Sequence, residues 1–353
     1  MDGTIMIVWI GLILYLLVIR LIFPNTTDKL LKKQYLLLSG IGIVLIMALR
    51  YPDYGKVYDL KLYYEYYKAM IHLPWKQIFE ADRFEPGYAI LNKVLATLIP
   101  WPQFILFAEA IFCVWVAMRY IYRHTDHPFY AVIFYVALGT MSFQLTAFRQ
   151  AFAISLCLLS VDYIKERKVW AFLALVGLAI SFHKTAVAFL PMYFLAGRKL
   201  NMKNNVIAIA FLGTMVVAAP ILANVGNRLL FEADHSAEFS GSAIGGIIQM
   251  AIYLLALFIS ALYARRTGTK THINMLGLGL GIYAARFAST ILERISFYYV
   301  PACMVVLPEA IHLELDEKIR KILQLFSVFM AVILFLYRMY SSSHLNSYRF
   351  FWQ

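Results

Sequence analysis

The sequence predicts an all-α, polytopic integral membrane protein with about 12 transmembrane helices and one further re-entrant or interfacial helix. Composition is the first reason. Of the 353 residues, 62% are hydrophobic and 15% are charged, whereas soluble domains average roughly 45–50% hydrophobic residues and about 25% charged residues. The mean hydropathy of +0.69 is the second. The third is that apolar runs approaching the roughly 20 residues of one membrane crossing recur along the chain.

The predicted spans are apolar runs separated by short polar stretches, and together they make residues 1–353 a single transmembrane domain. Three consecutive runs in the middle of the chain are short for a full crossing. The twelve runs cover 5–22, 35–49, 103–121, 129–147, 150–164, 169–182, 185–197, 205–223, 244–263, 272–290, 295–312 and 320–339.

Basic residues set the predicted orientation, because lysine and arginine are enriched in the cytoplasmic loops of membrane proteins. Six basic clusters alternate with the spans, so we place all six inside and both chain ends outside. These loops account for the net charge of +12, and we therefore exclude a nucleic-acid partner. The clusters are Arg20 with Lys29, Lys32 and Lys33; Arg119 with Arg123; Lys165 with Arg167 and Lys168; Arg198 with Lys199 and Lys203; Arg265 with Arg266 and Lys270; and Lys318 with Arg320 and Lys321.

Two long stretches fall on the predicted outer side, at 50–101 and 224–243. Within the first, residues 61–68 read K-L-Y-Y-E-Y-Y-K, which predicts an amphipathic helix at the membrane surface with its aromatic rings at headgroup level.

The same outer loop contains the short run 87–99. If this run crossed the membrane, the loop with Arg119 and Arg123 would fall outside. We therefore predict a re-entrant or interfacial helix.

Side chains that could bind or react collect at the predicted outer level, although they come from distant parts of the sequence. Guanidinium groups bind phosphates through two parallel hydrogen bonds and stay charged at all relevant pH values. A ring of arginines there would suit a lipid-linked diphosphate. The candidate binding residues are Arg50, Arg83, Arg149, Gln150, Lys184, Arg286, Arg294, Tyr298 and Tyr299.

The candidate proton-transfer groups at this level are three acids and one histidine. Asp53, Asp59 and Glu85 lie in the first outer loop, and Pro86-Gly87 would fix Glu85 at the start of the 87–99 helix. His183 follows a predicted span and could act as a base or a donor. The eight histidines are scattered without ligand spacing, so we expect no metal and no cofactor.

In its motifs the chain resembles the EpsG family, relatives of the Wzy-type polymerases of bacterial exopolysaccharide. The matching pieces occur in the family's order and cover most of the chain. They are Arg50…Asp53…Asp59…Tyr63, Glu85-Pro86-Gly87-Tyr88, Phe148-Arg149-Gln150, residues 179–186 (A-I-S-F-H-K-T-A), Glu293-Arg294 with Phe297-Tyr298-Tyr299 and Leu307-Pro308, and the aromatic tail 348–352.

The resemblance implies a multi-span glycosyltransferase in the bacterial cytoplasmic membrane, with an active site that faces outside and a fold similar to type C membrane glycosyltransferases. Its substrate would be a polyprenyl-diphosphate oligosaccharide, and its product a polymer of joined repeat units. Arg149, His183, Arg294 and Tyr298 match the family's active-site positions. The resemblance implies membrane lipids as partners. It leaves open whether a chain-length regulator and the flippase of the same pathway also bind. It also leaves open which acid is essential.

Two other functions fit parts of the pattern. A flippase or transporter of the same lipid-linked oligosaccharide would use a basic cavity, but transporters often contain internal repeats and this sequence shows none. An acyltransferase would need a deep histidine with an acidic partner, and His183-Lys184 has no acidic neighbour in the sequence.

Overall fold

The computed structural model describes residues 4–24, 28–52, 58–79, 84–197, 246–255, 257–258, 270–287, 290–312, 316–341 and 348–352. Over these ranges the chain is helical, and the pairing of extended backbone is limited to one antiparallel bridge between Arg50 and Phe350. This confirms the all-α prediction. The predicted span 205–223 and the predicted outer loop 224–243 lie outside the described residues.

The helices follow the predicted apolar runs closely in the first half of the chain. They are α1 (Thr4–Ile22), α2 (Lys29–Ala48), α3 (Tyr58–His72), α4 (Pro86–Leu98), α5 (Phe104–His124), α6 (Pro128–Ala137), α7 (Thr140–Gln144), α8 (Phe148–Lys165), α9 (Val169–Phe182) and α10 (Met192–Leu195). The second half contains α11 (Gly246–Leu255), α12 (Lys270–Ala284), α13 (Thr290–Ser296), α14 (Cys303–Ile311) and α15 (Glu317–Ser341).

Three described helices, α2, α5 and α15, are long and apolar enough to cross a membrane by length and composition. Shorter apolar helices accompany them, at Met6–Ile22, Pro128–Ala137, Val169–Phe182, Lys184–Leu195, Gly246–Leu255 and Val300–Ile311. The chain is therefore a membrane protein. The number of 12 spans and the likeness to type C glycosyltransferases stay predictions.

Three predicted continuous runs are interrupted in the structure. The run 129–147 breaks at Gly139, whose φ of 98° is left-handed and ends α6 before α7 begins. The run 185–197 starts as a 3₁₀ helix, Lys184–Phe189, before α10, and the run 295–312 contains the 3₁₀ turn Val300–Ala302 around Pro301. Hydropathy cannot reveal these breaks, because glycine and proline change the backbone angles rather than the polarity.

Two helices form in the described part of residues 50–101, and their placement at the outer membrane surface stays a prediction. The run 87–99 forms α4, whose 13 residues extend about 20 Å, well short of the roughly 30 Å hydrocarbon core. The stretch 61–68 lies within α3, which is amphipathic as predicted. One side of α3 is buried, including Tyr63, Tyr66, Tyr67 and Met70, and the other exposes Lys61, Glu65 and Lys68.

Contacts between distant segments join the loops that the topology prediction placed on the same side. Among the predicted inner clusters, Lys32 Nζ lies 3.3 Å from Asp126, and Asp162 accepts ion pairs from Arg119 and Arg123.

On the predicted outer side, the C-terminal tail pairs with the end of α2. The Tyr51 amide donates to the Arg349 carbonyl at 2.8 Å, and the Phe351 amide donates to the Leu49 carbonyl at 2.9 Å. Which end faces the cytoplasm stays a prediction.

The break at Gly139 gives a direct test of the packing between α6 and α15. An alanine there would be held at φ 98°, and its Cβ would lie 2.8 Å from Arg338 Nη1. We expect Gly139→Ala to lower the free energy of unfolding by about 1–3 kcal/mol, measured as a lower melting temperature in detergent.

Gly177→Ala is the matched control, because no atom lies within 4 Å of the Cβ it would add. An alanine in a helix interior is favoured over glycine by about 0.5–1 kcal/mol, so this variant should melt at or above the wild-type temperature. Equal melting temperatures for the two variants would show that neither the left-handed backbone at Gly139 nor its contact with Arg338 requires glycine.

Candidate active site

The candidate site is built around Glu85, which lies at the N-terminal boundary of α4. Pro86 occupies the first helical position, where its missing N–H costs nothing. The Glu85 side chain does not cap its own helix and is free to reach other segments. Gly87 allows α4 to approach the end of α9 closely, since a Cβ at this position would lie 2.7 Å from the Ser181 carbonyl oxygen.

The Glu85 carboxylate joins three segments that are far apart in sequence. Its Oε2 lies 2.5 Å from Nη1 of Arg149 at the start of α8, and its Oε1 lies 3.1 Å from Nδ1 of His183 at the end of α9. The Lys184 amide also points at Oε1, at 3.4 Å. Glu85 and His183 are both buried, and the Arg149 side chain is 25% exposed. The structure thus supplies the acidic partner of His183 that the sequence does not show.

Aromatic rings from α3 and the Glu85 segment enclose the arginine. The Arg149 guanidinium carbon lies 4.5 Å from the centre of the Phe84 ring, a distance typical of a cation–π contact. Tyr63 stacks on Phe148 with ring centres 5.0 Å apart, and it contacts the rings of Phe84 and Tyr88 as well. These contacts restrict the orientation of Arg149 and exclude water from one side of it.

The charge states of the central pair follow from burial and hydrogen bonding. Burial alone would raise the pKa of Glu85, but the hydrogen bond from His183 and the charge of Arg149 outweigh it, so the pKa falls to about 2. Burial lowers the pKa of His183, and the hydrogen bond to Glu85 offsets this only in part. At neutral pH Glu85 is therefore an anion and His183 is neutral.

These charge states determine the tautomer of the histidine. An ionised carboxylate only accepts hydrogen bonds, so His183 Nδ1 must carry the hydrogen that points at Glu85. The lone pair that can take up a proton then lies on Nε2.

A second layer of predicted residues surrounds this centre. The Tyr298 hydroxyl lies 3.0 Å from Thr185 Oγ1, and the Gln150 amide donates to the Arg294 carbonyl at 2.8 Å. This bond places the Arg294 backbone beside the start of α8. Tyr299 donates to the Ala188 carbonyl. The segments that begin α8, follow α9 and precede α14 therefore meet, and their location on the outer side stays a prediction.

Arg286 belongs to a neighbouring cluster rather than to the Glu85 centre. It pairs with Glu293 at 3.2 Å and contacts the Tyr283 ring and hydroxyl. The partly buried Arg338 of α15 acts electrostatically on Glu293. Burial raises the pKa of Glu293, with Arg286 opposing the shift.

The remaining predicted residues are not joined to the Glu85 centre. Arg50 packs between α2 and the C-terminal tail, donates to the Met47 carbonyl at 3.0 Å and acts electrostatically on the buried Glu109. Asp59 lies in the first turn of α3, where its charge adds to the rise that burial causes in the pKa of Tyr63, and it forms no ion pair with Arg149. Asp53 and Arg83 lie outside the described residues. Among the described residues no three His, Cys, Asp or Glu side chains form a group that could hold a metal.

Sequence reasoning missed several polar residues in the helices. Arg338 is a charge near the end of an apolar run, which is a functional or packing signal in a membrane span; it donates to the Ala137 carbonyl at 3.0 Å and to Gln249. The sequence also gives no sign that Phe84 and Phe148 belong to the site, because only the folded chain brings Tyr63 of α3 into contact with both rings.

The fold and the site define a helical membrane protein with a buried carboxylate, arginine and histidine centre assembled from separate polar turns. A family model matches residues 33–352, nearly the whole chain. The chain belongs to the EpsG family, a Wzy-like polymerase family, as the motifs predicted. Comparison with curated proteins and with solved structures gives no significant match.

Replacing Glu85 with glutamine tests the central contact. The change leaves Arg149 without its counter-ion; removing one partner of a fully buried pair costs about 3–5 kcal/mol. Because Arg149 is partly exposed, we expect Glu85→Gln to lower the free energy of unfolding by about 2–3 kcal/mol, measured by thermal unfolding in detergent. Glu166→Gln, which removes an exposed pair with Lys168, should leave the melting temperature close to the wild-type value, because surface ion pairs contribute little to stability.

The loss of stability caused by Glu85→Gln should become smaller as the pH falls. The pKa of Glu85 is lower in the folded protein than its ordinary 4.5, so its ionisation stabilises the fold fully above pH 4.5 and progressively less as pH falls toward 2. The gap in melting temperature between wild type and Glu85→Gln should therefore be widest near pH 7 and should narrow below pH 4.5. A gap that is constant down to pH 3 would contradict the assigned charge state.

Proposed function

We propose that the chain is an exopolysaccharide polymerase that joins polyprenyl-diphosphate-linked oligosaccharide repeat units at the outer leaflet of the bacterial cytoplasmic membrane. The observation that carries this proposal is the Glu85–Arg149–His183 centre, in a chain that belongs to a Wzy-like polymerase family. The substrate and membrane lipids are the expected partners. A chain-length regulator and a flippase of the same pathway are further candidates.

The charge of the site supports a diphosphate ligand. Arg149 and Arg294 contribute two cations and Glu85 one anion, while Arg286 and Glu293 balance each other. The excess of positive charge matches an anionic diphosphate. The Arg149 side chain is 25% exposed, so its accessible N–H groups can bind a phosphate oxygen while Nη1 keeps the contact with Glu85.

In the proposed reaction, His183 is the catalytic base and Glu85 is its positioning residue. The acceptor sugar hydroxyl attacks the anomeric carbon of the donor and gives its proton to His183 Nε2. As the new glycosidic bond forms, the bond from the anomeric carbon to the diphosphate oxygen breaks, and that oxygen keeps the electron pair. Arg149 and Arg294 stabilise the negative charge on the departing diphosphate. Since its low pKa makes Glu85 a weak base, it orients the histidine instead.

A reaction with purified protein tests the function. Wild-type protein in detergent, given the polyprenyl-diphosphate repeat unit, should produce a ladder of longer lipid-linked glycans. Arg149→Ala should reduce the initial rate about 100-fold or more, the typical cost of removing one donor that stabilises developing charge. Arg320→Ala, in a predicted cytoplasmic cluster, should leave the rate unchanged.

The flippase alternative gives a different result in the same preparation. Translocation of the lipid-linked oligosaccharide in vesicles without formation of new glycosidic bonds would overturn the polymerase proposal. In cells, a deletion strain should accumulate single repeat units on lipid and lack long polymer. Normal polymer in that strain would also overturn the polymerase proposal.

The pH profile tests the role of His183. Because burial lowers the pKa of His183 below its ordinary 6.5, the base remains deprotonated at pH 6.5, and kcat/KM should decline only as pH falls through the lowered value. Glu85→Gln removes an interaction that raises this pKa. The acid limb should therefore move to lower pH in this variant, while the plateau rate falls. An acid limb that stays in place would show that a different group is the base.

A further inference from the structure

A cleft lies on the other side of α3 from the Glu85 centre. It is lined by residues from the end of α2, from α3, from the turn before α5 and from the C-terminal tail, and it encloses about 160 Å³. Pockets that enclose a complete drug-sized ligand measure roughly 300–1,000 Å³, so this cleft can hold one ring of a longer molecule. Its aromatic lining residues are Tyr51, Tyr64, Trp101 and Phe351.

The lining combines apolar ring faces with hydrogen-bonding groups. Lys61 and Glu65 border the cleft beside Tyr64 and can bond hydroxyl groups as donor and acceptor respectively. Trp101 is 42% exposed and Tyr51 is 39% exposed, so both offer ring surface to a ligand. Aromatic faces that cover C–H groups, with a few polar groups at the edge, match a sugar ring, which has C–H groups on its faces and hydroxyls around its rim.

Gln103 provides a fixed polar group in this lining. Its side chain is buried, and its amide nitrogen donates to the carbonyls of Ala48 at 2.7 Å and Arg50 at 2.8 Å. These two bonds fix the orientation of the amide. The amide oxygen is the end that can accept a hydrogen bond from a ligand hydroxyl.

Helix α3 connects the cleft to the candidate active site. Lys61, Tyr64 and Glu65 line the cleft, whereas Tyr63 and Tyr66 contact Phe84, whose ring lies over the Arg149 guanidinium. The two sites are therefore separated by the thickness of one helix, about 10 Å. An oligosaccharide with several rings is long enough to occupy both.

The C-terminal tail forms one wall of the cleft. Phe351 packs against Trp101 with ring centres 5.8 Å apart, and the Tyr51–Arg349 hydrogen bond attaches the tail beside it. The cleft is thus a product of tertiary structure, because its walls are about 300 residues apart in sequence.

From these observations we propose that the cleft is a glycan-binding subsite that holds a sugar ring of the oligosaccharide away from the bond that reacts. This inference rests on the proposed function, since it assigns the cleft to a more distant part of the same substrate. The expected ligand is a pyranose unit of the repeat unit or of the growing chain, with its face on Trp101 and its hydroxyls directed to Gln103, Lys61 and Glu65.

Direct binding tests the subsite independently of polymerisation. The probe is the repeat-unit oligosaccharide of the source strain, released from its lipid by mild acid, and binding to the purified full-length protein is measured by calorimetry. We expect Trp101→Ala to weaken binding about tenfold, equivalent to about 1.4 kcal/mol. Trp170→Ala is the matched control, because Trp170 is 80% exposed on α9 and does not line the cleft.

Kinetics then separate a subsite from a general structural effect. In the polymerisation reaction Trp101→Ala should raise KM about tenfold with kcat unchanged, since the reacting groups are intact. Trp101→Phe, which keeps an aromatic face, should restore most of the affinity. If Trp101→Ala unfolds, Tyr64→Leu removes a second lining ring with little loss of volume and should also weaken binding.

The outcomes distinguish this inference from the proposed function. Unchanged oligosaccharide binding and KM in both folded variants, with wild-type polymerisation intact, overturns the subsite alone. A wild-type protein that binds the oligosaccharide through Trp101 but forms no glycosidic bond supports the subsite and overturns the polymerase proposal. Wild-type protein that does not bind the free oligosaccharide at all overturns the subsite.

Discussion

A single buried carboxylate organises the candidate site. Glu85 needs a positive partner because a lone charge is expensive to bury, and Arg149 meets that need while His183 donates the second hydrogen bond. The partners come from α8 and from the end of α9, so the charge requirement joins α4 to two other helices. The same contact leaves His183 neutral and in one tautomer. The packing of three helices, the charge of the site and the proposed proton transfer to His183 therefore all depend on the Glu85 carboxylate oxygens.

Interrupted helices place the other site residues. Unpaired backbone groups are tolerated at membrane depth only where protein or water surrounds them, so a break marks a polar interior. The break at Gly139 precedes the turn that presents Arg149, and the 3₁₀ segment that starts at Lys184 presents Thr185 to Tyr298. The shortness of these helices, which makes them poor candidates for complete spans, is what allows their ends to converge.

The sequence predicts the helical class, most helix bounds and the family, because hydropathy and motif order are local properties. It places Glu85 at the start of α4 because Pro86 follows it, and His183 at the end of α9 because the apolar run ends there. It could not pair Glu85 with Arg149, which depends on tertiary packing, and it grouped Arg50 with the site although Arg50 packs under the C-terminal tail. Topology prediction gives only the depth of a residue in the membrane. Two residues at the same depth can lie in different parts of the protein, as Arg50 and the Glu85 centre do.

The pairing of the tail with the end of α2 has a consequence for biogenesis. Its two paired residues, Arg50 and Phe350, lie about 300 residues apart, so the bridge can form only after residue 351 has left the ribosome. Until then the amide of Tyr51 and the carbonyl of Leu49 have no partner from the tail. Residues 348–352 therefore complete the wall around Arg50 only after all the helices between them and α2 have been synthesised.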